Sequence, residues 1–231
     1  MTRNAQRTDR RGEARLPAVV AVGVAIALQS LLPNRLLLGP RLLLPVLELL
    51  LLVPLVAVNP VRITRDTRWS RPVALGLVLL IAVTNTVVLA LLVRLLVDGK
   101  AGNGTQLLLA ALQVWLTNVI AYGLVYWELD RGGPVVRTQR PRAQLPAADF
   151  RFPQDEDHDA IDEVAKGSSA KSGWVPTLVD YLYMSVTNSS AFSPTDTMPL
   201  TSRTKTLMAL QSTSALVLSL LVVSRAVSVL K

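Results

Sequence analysis

Residues 73 to 93 run without one charged side chain. A bilayer core about 30 Å thick takes about 20 residues as helix, and only a helix or a closed barrel satisfies every backbone N–H and C=O inside lipid. Four further apolar blocks, about 17–33, 41–58, 105–127 and 207–230, hold most of the 51% hydrophobic residues of the 231-residue chain. The fold class expected is an all-α integral membrane protein with about five transmembrane helices, in the plasma membrane and in contact with lipid throughout.

The blocks mark out four regions. Residues 1–16 carry five arginines without an apolar run and read as a disordered basic tail. Residues 17–128 form a four-helix peripheral domain, whose first pair is punctuated by Pro17, Pro33, Pro40, Pro45, Pro54 and Pro60 and is expected to be a tight, kinked hairpin. Residues 129–173 change from basic (Arg131, Arg137, Arg140, Arg142) to acidic (Asp155, Glu156, Asp157, Asp159, Asp162, Glu163 around His158), and read as a charged, flexible connection. The Asp155, Asp157, Asp159 spacing lacks the turn glycine and closing glutamate of a calcium loop. Residues 174–231 form the last region.

No cysteine and one histidine leave no thiolate chemistry and little for an imidazole metal site or a triad, so the expectation is a protein that is not an enzyme and carries no cofactor or metal. The net charge of +8 is explained by arginines beside the apolar blocks, so nucleic acid is not an expected partner. Arginines crowd the amino-terminal tail, residues 59–72 and the start of the long connection, which places all three in the cytoplasm and the carboxyl terminus outside. A single crossing in 17–58 would invert every later element.

Residues 174–186 are too short to span and too apolar for a solvated loop. Then come the polar turn Ala191-Phe-Ser-Pro-Thr-Asp-Thr-Met-Pro-Leu-Thr201 and a full apolar span. That order is the plan of a re-entrant pore helix and loop, because irregular backbone at membrane depth survives where it lines a wet path or is buried in protein. An interfacial helix followed by an ordinary capping turn is the alternative.

The turn resembles the potassium-channel pattern T-V-G-Y-G-D, two residues, then P-V-T, with Asp196 on the filter aspartate and Pro199 and Thr201 on the later positions. Residues 180–187 resemble a pore helix and 207–230 an inner helix. The segment also resembles an uncharacterised group of bacterial membrane proteins bearing the same Phe-Ser-Pro-Thr-Asp turn. The resemblance covers the last quarter of the chain. It implies a filter-like constriction at Phe192, Ser193, Pro194, Thr195 and Asp196, a pore helix carrying Asp180, Tyr183, Thr187 and Asn188, and a homotetramer around one axis.

The glycine positions of such a filter hold Ser193 and Thr195 with Pro194 between them, and proline is fixed near a φ of about −65°. A carbonyl ladder is therefore not expected, and the hydroxyls of Ser189, Ser190, Ser193 and Thr195 would line a wider constriction. Gln211, Ser214, Leu218, Leu221 and Arg225 recur at steps of three and four, a face that either lines and gates a pore or packs against other helices. Glu48 lies deep in the second block, where a charge is costly and commonly functional. The expected activity is a weakly selective monovalent cation channel passing inorganic ions; an anion pore, a secondary transporter and a non-conducting scaffold are the alternatives.

Overall fold

The computed structural model describes residues 12–98, 104–156, 161–190 and 196–229, with side chains to residue 223. It is mostly helical: α1 (Leu16–Ser30), α2 (Leu43–Val58), α3 (Ser70–Val97), α4 (Gly104–Leu129), α5 (Pro134–Gln139), α6 (Asp162–Ala165), α7 (Ser169–Ser172), α8 (Leu178–Ser190) and α9 (Ser202–Val229). Two-residue strands pair as β1 (Glu13–Ala14) with β2 (Arg62–Ile63) and β3 (Phe150–Arg151) with β4 (Met198–Pro199), both antiparallel. Three helical stretches, Ser70–Val97, Gly104–Gly132 and Ser202–Val223, are long and apolar enough to cross a membrane.

The two short apolar helices form a hairpin. With 15 and 16 residues, α1 and α2 are about 22–24 Å long. The β1–β2 pairing closes the open end of the hairpin, while at its tip Leu32 and Leu36 pack with Val88, Leu89 and Leu92 of α3. Pro17 starts α1 at a position where the missing N–H costs nothing. The β1 pairing also corrects the expectation for the tail. Gly12 sits where a Cβ would lie 2.2 Å from the Ile63 carbonyl oxygen, and Arg15 is buried, so the last residues before α1 are docked against the hairpin rather than free.

Helix α4 is the axis of the molecule and packs against α1, α3, α8 and α9. Its face is small where α8 approaches: a Cβ on Gly123 would lie 2.7 Å from Leu182 Cδ2 and 3.3 Å from its Cα. The helix ends through Arg131, Gly132 and Gly133, all at positive φ, a conformation that costs glycine little. α2, α3 and α9 expose rows of leucine and valine, such as Leu47, Leu50, Leu79, Val83, Leu216 and Leu220, as lipid-facing helices do.

The connection after α4 differs from the flexible segment expected from its charge. Asp130, Arg137, Asp149, Phe150 and Phe152 are all buried. They fold the chain into a cap over the end of the bundle where α1, α3, α8 and α9 begin and α4 ends, called here the basic end. Residues 157–160, including His158, lie outside the described residues.

Candidate functional site

Thr177 and Asp180 set the start of α8. The Asp180 carboxylate accepts from the Thr177 N–H at 2.7 Å and from its hydroxyl at 2.8 Å, which occupies an amide the helix leaves unpaired. Asp180 is thus a capping residue. Leu178, Tyr181, Met184, Ser185 and Ser189 are buried, while Val179 and Tyr183 on the other side are exposed. The helix runs antiparallel to α4 and inside the bundle: Tyr181 meets Asp130 at the basic end, and Ser185 Oγ donates to the Val119 carbonyl at 2.7 Å farther along.

The chain then comes back to where α8 began. β4 pairs with β3, the Leu200 N–H donates to the Asp149 carbonyl at 2.8 Å, and the Thr201 hydroxyl donates to Asp149 Oδ1 at 2.8 Å. Arg203 grips the same carboxylate through Nε at 2.9 Å and through its second nitrogen. Both ends of the excursion meet one residue: Asp130 Oδ2 accepts from the Tyr181 hydroxyl at 2.5 Å, and its Oδ1 accepts from the Asp149 N–H at 2.7 Å. Two charge-assisted hydrogen bonds are worth roughly 1.5–3 kcal/mol each.

Arg137 braces this knot from behind. It is 1% exposed and donates to the carbonyls of Pro176 at 3.0 Å, Trp127 at 3.1 Å and Asp130 at 3.0 Å, with its guanidinium carbon 5.0 Å from the centre of the Tyr181 ring. Glu13 lies 3.7 Å from it and accepts from the Leu178 N–H at 2.6 Å and the Trp127 indole at 2.8 Å. Burial pushes the Glu13 carboxyl above its usual range, against the opposing pull of these donors. Asp155 ends lowered: burial works to raise it, but the Ser169 hydroxyl, Arg131 and the Phe152 N–H outweigh burial.

Midway along α8 a second polar group joins three helices. Gln211 is fully buried, and its Oε1 accepts from the Tyr126 hydroxyl at 2.6 Å and from Asn188 at 2.8 Å. Its amide nitrogen lies 2.6 Å from Ser185 Oγ, 3.0 Å from the Ser185 carbonyl and 2.8 Å from Ser189 Oγ. Asn188 also donates to the Met208 carbonyl at 3.1 Å. The stripe drawn on the last span is thereby divided. Gln211 and Leu218 turn inward with Thr204, Met208 and Ala215, so neither has a free surface with which to line a path shared between protomers. Ser214 and Leu221 remain half-exposed, and Ser214 Oγ donates back to Leu210 O at 2.7 Å. Arg225 lies in helical backbone, with its side chain outside the described residues.

Of the filter-like positions, Phe192, Ser193, Pro194 and Thr195 lie outside the described residues, and Asp196 is exposed. Tyr183 is exposed, and the Thr187 hydroxyl donates to the carbonyls of Tyr183 at 3.1 Å and Met184 at 3.0 Å. Sequence reasoning missed Asp130, Arg137, Asp149, Tyr126 and Ser185. Among the described residues no group of three or more His, Cys, Asp or Glu could hold a metal. The chain matches no family model, and no curated protein or solved structure matches it.

Proposed function

We propose that the protein is a homotetrameric ion channel, weakly selective for monovalent cations, whose pore is built from α8, the turn 191–196 and the outer face of α9. The carrying observation is the excursion of residues 178–200. A helix of 13 residues, about 20 Å long, enters the bundle at the basic end, and the chain returns to Asp149 at that same end. In a bilayer that path is a re-entrant loop, and such backbone is tolerated where it lines a wet cavity or is packed in protein. The exposed face of α9 offers a lining stripe of Leu210, Ser214, Val217 and Leu221, at the three- and four-residue steps of one helical face.

The layout we propose has five crossings, the three long apolar helices and the two shorter helices of the hairpin. Leu36 packs at the level of Leu92, and Ser70 to Leu92 is about 33 Å along α3, so the hairpin reaches across a bilayer core despite the shortness of its helices. The basic end, with Arg15, Arg62, Arg65, Arg68, Arg71, Arg137 and Arg203, lies in the cytoplasm by the positive-inside rule, and the loop enters from that side. One chain supplies one such loop, and closing a path around it needs several copies about an axis.

The competing state is a non-conducting scaffold, favoured by the sealing of Gln211 inside the protomer. Purified protein in liposomes separates the two. Potassium flux above that of empty vesicles, from particles whose mass is four chains, is the expected result; a monodisperse monomer without flux rejects the channel.

A further inference from the structure

The α1–α2 hairpin holds a carboxyl group with nothing to hold. Glu48 is 0% exposed, and neither of its oxygens meets a hydrogen-bond partner among the described residues. It shares the inward face of α2 with Pro45, Leu52 and Leu55, and ten residues, about 15 Å, separate it from the end of the helix at Val58. Among the described residues no cation forms a hydrogen bond or ion pair with it, Arg35 at the hairpin tip included. α1 has no ionisable side chain; those of α3 are Arg71 and Arg94, near its two ends. Arg41, two turns before Glu48, is exposed and bonded to the Leu32 carbonyl and Asn34.

A second orphan lies on the facing helix of the hairpin. Gln29 of α1 is 6% exposed with both amide atoms unpartnered. It lines a small cavity with Thr84 of α3 and with Leu44 and Pro45, one turn before Glu48. One turn along α2 thus separates the orphan carboxyl from the wall that carries the orphan amide. Buried polar groups without partners are rare in folded proteins, and a bound ion or water is among the things that complete such a set. A lone buried carboxylate is among the costliest groups to keep charged, whereas a cation bound to it cancels the cost.

We propose that Glu48, Gln29 and Thr84 form an intramembrane site for a single monovalent cation, a proton or Na⁺, carried on the Glu48 carboxyl and reached through the cavity at the hairpin tip. One carboxylate with an amide oxygen and a hydroxyl neutralises one positive charge and offers too few oxygens for Ca²⁺, which takes six to eight. The site stands apart from the pore: it uses α1, α2 and α3, and it holds whether or not the loop after α8 conducts. It rests only on the hairpin lying in lipid.

An apolar carbodiimide tests it on the full-length wild type in liposomes. The protonated carboxyl adds across the reagent, its proton passing to one nitrogen and its oxygen to the central carbon; acyl transfer to nitrogen then leaves an N-acylurea with no group lost. Mass spectrometry is expected to find the whole reagent mass on Glu48, with a rate falling about tenfold per pH unit once pH exceeds the carboxyl's own titration. Slowing when choline is exchanged for sodium assigns Na⁺ as an occupant; no sodium effect assigns the proton alone. A water-soluble carbodiimide is expected to react more slowly, and Gln29→Leu to lower the apolar reagent's rate by about tenfold. A sealed structural acid would label at one rate at every pH. That result, or the absence of an adduct at Glu48 in folded protein, would overturn the site.

Discussion

The Asp130 carboxylate accepts from the start of α8 through Tyr181 and from the returning chain through the Asp149 N–H, and it is fully buried. Asp130→Ala leaves the Tyr181 hydroxyl and the Asp149 N–H without their acceptor and takes from Arg131 one of its two carboxylates. The expected loss is about 3–5 kcal/mol, seen as a lowered midpoint in thermal unfolding of the detergent-purified protein. Arg151→Ala breaks an ion pair whose side chains are 43% and 51% exposed, and is expected to cost under about 1 kcal/mol. Equal costs for the two would show that the knot does not hold the fold. Asp155 gives the pH dependence. Its pKa is lowered in the folded chain, so its contribution is complete above the unfolded value near 3.9 and is lost as pH falls through the folded value. Below about pH 4, loosening of the 150–156 segment should change the fluorescence of Trp174, which packs edge-on against Phe152; Asp155→Asn should show the acid signal already at neutral pH.

Among the elements, the long helices were legible because lipid forces apolar runs into helix, whereas the faces of those helices were not. A lipid-exposed face and a packed face are equally apolar, so three- and four-residue spacing in α9 could not say which side of Gln211 is inside; Tyr126, Ser185 and Asn188 decide it. The charged cap was misread for a related reason. Asp130, Arg137 and Asp149 find partners 39 to 54 residues away in Pro176, Tyr181 and Arg203, and such pairings leave no local pattern. The approach of α4 to α8 is testable on its own terms. Gly123→Leu must displace Leu182 and is expected to cost about 1–3 kcal/mol or more by overpacking, read as a lower folded fraction in size-exclusion profiles. Gly76→Ala, with open space around its Cβ, should be neutral or slightly stabilising through helix propensity. A well-folded Gly123→Leu would mean that α4 and α8 do not approach this closely at Leu182.

For the whole molecule the orientation and the selectivity are linked. With the basic end inside, α9 runs outward, and a reporter fused after Lys231 that works only outside the cytoplasm should be active; a silent, well-expressed fusion would invert the molecule. Asp196 lies two residues before β4, near the basic end, and is exposed. In the proposed tetramer four such carboxylates would form a ring near the cytoplasmic mouth of the pore, and the negative carboxyl-terminal ends of four α8 helices would point away from that mouth towards mid-bilayer. Both fields attract cations along the same path. Neutralising the ring should therefore weaken cation preference without abolishing conduction, since the α8 ends remain. Reversal potentials in asymmetric potassium chloride are expected to lie towards the cation value for the wild type and to move towards zero in Asp196→Asn. A wild type that prefers chloride would overturn the cation assignment, and a preference indifferent to Asp196 would remove that carboxylate from the pore.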